Sequence, residues 1–113
     1  MKKLLFVGLC ILLFGIQNKV NAQFTNFTAA NSDLPSDYVM GGIAIDTNNI
    51  VWVGTDAGVA KYDGAVWTVY TTVDGLPSDI ISCVAVDPLT NKIWVGTQGD
   101  GVACFNGSAW TSY

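Results

Sequence analysis

Few side chains in this sequence are of the types that do chemistry. All nine acidic residues are aspartate, all five basic residues are lysine, and histidine is absent. Most metal centres, acid–base pairs and phosphate sites use histidine, glutamate or arginine. The segments 46–49 and 87–91 are the best candidates for a calcium-type site, because hard cations take oxygen ligands. Neither has the ordered spacing of a calcium loop, and aspartate in such segments commonly forms turns. No metal ligand and no cofactor are predicted.

Cysteine and paired-carboxylate catalysis are also disfavoured. Cys83 and Cys104 have no histidine to activate them. They are predicted on the first and third strands of one sheet, about 9 to 10 Å apart, which exceeds the ~7 Å reach of a disulfide. We therefore predict two reduced, partly buried thiols. Asp37 and Asp79 are the best pair for glycoside hydrolysis, but each ends the same Leu-Pro-Ser-Asp tetrapeptide, which favours loop capping. No catalytic residue is predicted.

Residues 1–22 have the features of a secretory signal peptide. Lys2 and Lys3 precede an apolar run at 4–16, and a small-residue cleavage site ends at Ala22. The run is shorter than the ~20 residues that span a bilayer, and the position of Cys10 in mid-run argues against a lipid anchor. The sequence thus predicts export to the periplasm or the medium, with no membrane span in the mature chain.

The mature chain is acidic. After residue 22, only Lys61 and Lys92 oppose the nine aspartates, which leaves a net charge of about −7. Binding to nucleic acid requires cationic side chains that neutralise phosphates. Nucleic acid is therefore not expected as a partner.

The mature chain also contains a duplication. The tetrapeptide at 34–37 recurs 42 residues later at 76–79, and Trp-Val-Gly-Thr at 52–55 recurs at 94–97. Gly-Val-Ala and a Trp-Thr-x-Tyr ending recur in the same order. Such self-similarity is the signature of a repeat architecture. We assign repeat 1 to 34–75 and repeat 2 to 76–113, with the segment 23–33 as the end of a partial repeat.

Each repeat is predicted to contain four short strands. In repeat 1 they are β-branched or aromatic segments separated by turn residues, at 43–45, 50–53, 59–62 and 67–70. Four strands in about 42 residues match the length of a propeller blade. The predicted fold is all-β, with two four-stranded antiparallel blades of an incomplete propeller. One extra N-terminal strand is expected at Phe24–Phe27, because that segment resembles the end of a repeat.

The repeated tryptophans are expected to pack between blades. Both faces of a blade meet neighbouring blades, which requires large apolar side chains. Trp52 and Trp94 would fill that layer, while Gly54 and Gly96 leave room for close backbone approach. An aromatic platform for sugar stacking is the alternative. Packing is favoured because the same residues recur in each copy.

With these motifs in order twice, the mature chain resembles the two-component regulator propeller repeat family of bacterial extracytoplasmic sensor proteins. The resemblance implies propeller blades and a ligand-sensing role upstream of a kinase, often for glycans. The shared motif is scaffold, so the ligand-binding residues stay unassigned. One departure is that Lys61 of the first repeat becomes Cys104 in the second.

The number of blades limits the functional interpretation. A closed propeller has about 4 to 8 blades, so the expected partners are further blades, from a longer chain or from other copies. A longer chain is favoured, because the strand at 24–27 would be surplus in a ring of copies. The favoured function is a non-catalytic exported protein related to a sensing domain. The alternatives are a structural or adhesive repeat protein and, less favoured, a glycan-active enzyme.

We expect the exported protein to begin at Gln23, because the small residue Ala22 ends the signal. Intact-mass spectrometry of protein recovered outside the cytoplasm should show the loss of residues 1–22. Retention of Met1 in that fraction would contradict cleavage.

Overall fold

The computed structural model describes residues 23–113, which form two four-stranded antiparallel sheets. Each sheet is a meander in which consecutive strands are neighbours. The all-β, two-blade prediction is therefore confirmed. The elements are β1 Gly42–Ile45, β2 Val51–Thr55, β3 Gly58–Tyr62 and β4 Trp67–Tyr70 in blade 1, a short 3₁₀ turn at Thr72–Asp74, and β5 Ile81–Val86, β6 Ile93–Thr97, β7 Val102–Phe105 and β8 Trp110–Ser112 in blade 2.

The predicted signal peptide at 1–22 lies outside the described residues. In the part that the structure describes, no helix has the length and apolar character needed to cross a bilayer.

Tight turns join the last two strands of each blade, β3 to β4 and β7 to β8. The carboxylate of Asp63 accepts hydrogen bonds from the backbone N–H groups of Val66 at 2.7 Å and Ala65 at 2.9 Å. These bonds hold the pKa of Asp63 below its usual value, because they stabilise the ionised form. In blade 2 the side-chain oxygen of Asn106 accepts the two equivalent bonds without a charge. Both side chains therefore stabilise the tight hairpin turns of their blades.

The linkers that lead into the two blades are also duplicated. Asp79 accepts a hydrogen bond from the N–H of Thr72 at 2.8 Å, and Asp37 accepts one from the N–H of Ala29 at 2.7 Å. Both carboxylates thus tie the end of a linker to its start. This is the loop-capping role predicted from the Leu-Pro-Ser-Asp tetrapeptides, whose leucines are buried.

The prediction of an extra N-terminal strand is wrong. Phe24–Phe27 has no strand pairing and does not extend either sheet. The equivalent strand β4 pairs with β3 of its own blade, whereas the described residues include no third strand of a preceding blade. Without that neighbour the backbone of 24–27 has no ladder to join. The residue types at 24–27 resemble those of β4, but a strand forms only where a neighbouring strand is present to pair with it.

We expect Gly58→Ala to lower the free energy of unfolding by roughly 3 kcal/mol. Gly58 has a φ of 117°, and a Cβ there would overlap the carbonyl oxygen of Tyr70. Gly64→Ala is the matched control, because Gly64 has a φ of 100° but no atom within 4 Å of the added Cβ. Backbone strain alone should cost the control about 1–2 kcal/mol. Urea unfolding measures both values. Equal losses would show that the Tyr70 carbonyl is not the cause.

Candidate functional site

The two blades pack face to face. Alternation along the strands gives each blade two apolar faces. We call the face of blade 1 that carries Trp52, Val59 and Tyr70 its indole face, and the opposite face its groove face. The indole face of blade 1 packs on the groove face of blade 2 in one continuous core. We call this contact the seam. The blade 2 side of the seam consists of Leu76, Ile81, Ile93, Val95, Ala103, Phe105 and Trp110.

Trp52 is the central side chain of the seam and is only 2% exposed. Its ring stacks on Tyr70 with centroids 6.0 Å apart and contacts Phe105 at 5.5 Å and Trp110 at 6.3 Å. Both contacts with blade 2 are tilted or edge-on, the geometry that aromatic quadrupoles favour. The prediction that Trp52 fills the layer between blades is confirmed.

The indole nitrogen of Trp52 is satisfied by a buried carboxylate. Trp52 Nε1 donates a hydrogen bond to Asp46 Oδ2 at 3.0 Å. The other oxygen of Asp46 accepts bonds from the N–H groups of Asn48 and Ile50, at 2.8 and 3.1 Å. Asp46 therefore both shapes the β1–β2 turn and orients the central ring of the seam. The sequence predicted the turn but not the bond to Trp52.

Close backbone approach holds the seam together near Gly54. A Cβ on Gly54 would lie 2.7 Å from Cγ2 of Ile81 in blade 2. Two polar contacts also link the blades: the N–H of Gly58 donates to the carbonyl of Asp79 at 2.7 Å, and the N–H of Thr47 donates to Asn91 Oδ1 at 2.9 Å. The predicted packing role of Gly54 is confirmed. At Gly96 the limiting atom is instead Cys83 Sγ of the same blade, 2.6 Å away.

The groove face of blade 1 is open except where Leu34 packs on the buried Val53 and Ala60. Phe27 packs there on Tyr62 with centroids 5.2 Å apart and meets Trp67 edge-on at 5.5 Å. In the seam, Tyr70 meets the equivalent Phe105 at 5.2 Å and Trp110 at 5.7 Å. Phe27 thus occupies the ring position that Tyr70 takes in the seam. Beside it lies an open apolar groove of about 390 Å³.

The indole face of blade 2 is open as well. Trp94 stacks on Tyr113 with centroids 5.9 Å apart, as Trp52 does on Tyr70. Trp94 is 39% exposed, whereas Trp52 is 2% exposed. The prediction for Trp94 is therefore right about the face it lies on and wrong about its burial, because no described residue covers that face.

Comparison with known proteins agrees with this architecture. Residues 33–57 match the family model described as "Two component regulator propeller". Residues 33–57 are therefore similar to one repeat of that family. It is a propeller-type repeat protein, as the sequence motifs predicted. No curated protein matches the chain.

One end of the seam is a polar cleft of about 140 Å³ lined by both propeller blades. Blade 1 contributes Asp46, Asn48 and Lys61, and blade 2 contributes Asn91 and Gly107. The ammonium of Lys61 lies 5.9 Å from the ring centres of both Trp52 and Tyr70, within the range of cation–π attraction. The cleft combines hydrogen-bonding groups with an aromatic edge. The sequence analysis singled out the segments 46–49 and 87–91, which supply Asp46, Asn48 and Asn91, but it did not predict that they meet, because they belong to different repeats.

The remaining candidate side chains do not converge. Cys83 and Cys104 are both free and lie on β5 and β7 with β6 between them, as predicted, but the predicted partial burial is wrong, because Cys83 is exposed and Cys104 is buried. Within residues 23–113 no three metal-ligating side chains are grouped. The oxygens of Asp87 accept bonds from the hydroxyl of Thr90 and the N–H of Leu89, which lower its pKa.

We expect Asp46→Ala to destabilise the protein by roughly 2–3 kcal/mol. The substitution leaves Trp52 Nε1 buried without a partner and removes two turn bonds. Asp87→Ala is the matched control, because Asp87 holds the equivalent but exposed turn. Chemical unfolding, followed by tryptophan fluorescence, should show the smaller loss for the control. A larger loss for Asp87→Ala would contradict the role assigned to Asp46.

Proposed function

We propose that this chain is an exported, non-catalytic binding protein whose blades form part of a ligand-sensing propeller of two-component signalling. The family description and the blade architecture support this proposal. The family resemblance, which is to extracytoplasmic sensor proteins, favours a periplasmic or extracellular location. Further propeller blades are the expected macromolecular partners.

The observation that carries the binding role is the cleft at the seam, because both blades line it. A ligand held there contacts blade 1 and blade 2 together, so its binding free energy depends on how the blades are arranged. Differential affinity for two arrangements is the physical requirement for sensing. A ligand bound in the cleft would therefore change the arrangement of blade 1 relative to blade 2.

A glycan is the ligand class that suits this cleft. Its volume of about 140 Å³ is close to the ~150 Å³ cavity that holds a benzene ring, so it has room for one six-membered ring whose hydroxyl groups reach the open side. Lys61 and Asn91 supply donors, Asn48 supplies both a donor and an acceptor, and Trp52 supplies an apolar edge. Hydroxyl groups on a sugar ring can pair with these donors and acceptors.

We expect Lys61→Met to weaken binding of a neutral oligosaccharide about tenfold, because it removes a charged donor from the cleft. Isothermal titration with maltohexaose and cellohexaose measures the dissociation constant. Lys92→Met is the matched control, since Lys92 does not line the cleft, and it should bind as the unsubstituted protein does.

The same two oligosaccharides also test the absence of catalysis. Incubation of each oligosaccharide with the protein should release no new reducing ends. Release of reducing ends would overturn the non-catalytic assignment. Failure of both sugars to bind, or equal weakening by the two lysine substitutions, would overturn the cleft as their site.

A further inference from the structure

Each chain has a second groove face and a second indole face besides the two that form the seam. The groove face of blade 1 and the indole face of blade 2 are open, and the seam shows how two such faces fit. We propose that the indole face of blade 2 in one copy docks on the groove face of blade 1 in a second copy, so that the chains associate head to tail. This inference is independent of the sugar proposal.

The open groove has the shape that receives an indole. In the seam, Trp52 lies against Phe105 and Trp110 of blade 2. The equivalent rings in blade 1 are Tyr62 and Trp67, stacked 4.7 Å apart, and both line the open groove. A cavity of ~150 Å³ accepts a benzene ring, so a groove of about 390 Å³ has room for an indole.

Blade 2 presents the side chains that would fill this groove. Trp94 and Tyr113 are stacked as Trp52 and Tyr70 are. Val102 is 41% exposed, whereas its equivalent Val59 is fully buried in the seam. Aromatic rings that become buried at the centre of an interface supply much of its binding energy. Docking would therefore cover the apolar surface of the two open faces.

The backbone groups that form a polar link in the seam have equivalents elsewhere in the chain. In the seam, the N–H of Gly58 donates to the carbonyl of Asp79. Gly101 follows the Gly-Thr end of β6 in blade 2 as Gly58 follows β2, and Asp37 ends the first linker as Asp79 ends the second. The two partners of an equivalent bond are thus present at the corresponding positions of blade 2 and of the first linker, where the carbonyl of Asp37 also accepts the N–H of Val39.

Phe27 must move for this docking to occur. It holds the position on Tyr62 and Trp67 that corresponds to Tyr70 in the seam, and Tyr113 of the arriving copy needs the same place. Because Phe24–Phe27 has no strand pairing, the exchange breaks no ladder hydrogen bonds. Docking therefore replaces one aromatic contact with another and adds the burial of Trp94.

A second copy fits these faces because one chain carries both of them. A strand at 24–27 would be surplus in a ring of copies, but residues 24–27 form no strand. A head-to-tail contact between different faces gives either a closed ring or an open filament.

Two substitutions in the full chain test the proposal by complementation. Trp94→Asp places a charge on the open indole face, and Ile43→Asp places one in the groove, where Ile43 is 65% exposed. Sedimentation velocity should show concentration-dependent association of the unsubstituted chain, weakened at least about tenfold in each variant. An equimolar mixture should form a dimer, because each variant keeps the face that the other has lost.

Three controls accompany the mixture. Leu89→Asp changes a 94%-exposed loop residue away from both faces and should associate normally. Val39→Asp also lies in the groove and replaces Ile43→Asp if that variant loses its aromatic circular dichroism. Phe27→Ala should strengthen association, because it removes the ring that Tyr113 must displace.

Several outcomes would overturn the proposal. These are a monomer at every concentration, normal association of both face variants, or a mixture that stays monomeric. Weaker association of Phe27→Ala would overturn the exchange of rings. Binding of maltohexaose that Trp94→Asp abolishes, with the chain monomeric throughout, would instead identify the open indole face as a sugar platform.

Discussion

The structure depends on one constraint: a four-stranded blade with two apolar faces buries them only against other blades. Trp52 meets this constraint in the seam, where it is surrounded by aromatic rings from both blades. Removing a buried ring of this size typically costs ~3–5 kcal/mol. The stability of two blades in a repeat array is approximately the sum of their own stabilities and of their shared interface. In residues 23–113 that shared interface is the seam.

Local residue patterns predicted the parts of the fold that are determined within one repeat. The four strands of each blade, the turn at Asp63 and the linker caps at Asp37 and Asp79 follow from residues close in sequence. The position of Trp52 could also be predicted, since a large ring repeated in each unit requires a neighbour to bury it.

Features that depend on a neighbouring blade could not be predicted in the same way. The bond from Trp52 to Asp46 requires the turn geometry, and the cleft combines residues from both repeats. Phe27 shows the same limit most clearly. Its sequence context is that of β4, and its ring takes the position of Tyr70, yet the backbone is not a strand because no adjacent strand exists in the described chain. Side-chain packing and strand pairing are therefore separable at this blade edge.

The two blades have also diverged at positions on their indole faces. Opposite the central tryptophan, blade 1 has Lys61 and blade 2 has Cys104. Lys61 brings a charge to the polar cleft of the seam, whereas Cys104 is buried beside Trp94 and brings none. Polar side chains are thus concentrated where two blades already meet, and the outer face of blade 2 is left mainly apolar. An apolar face of this kind is suited to packing on another blade, while a charged cleft at a formed seam is suited to a small polar ligand.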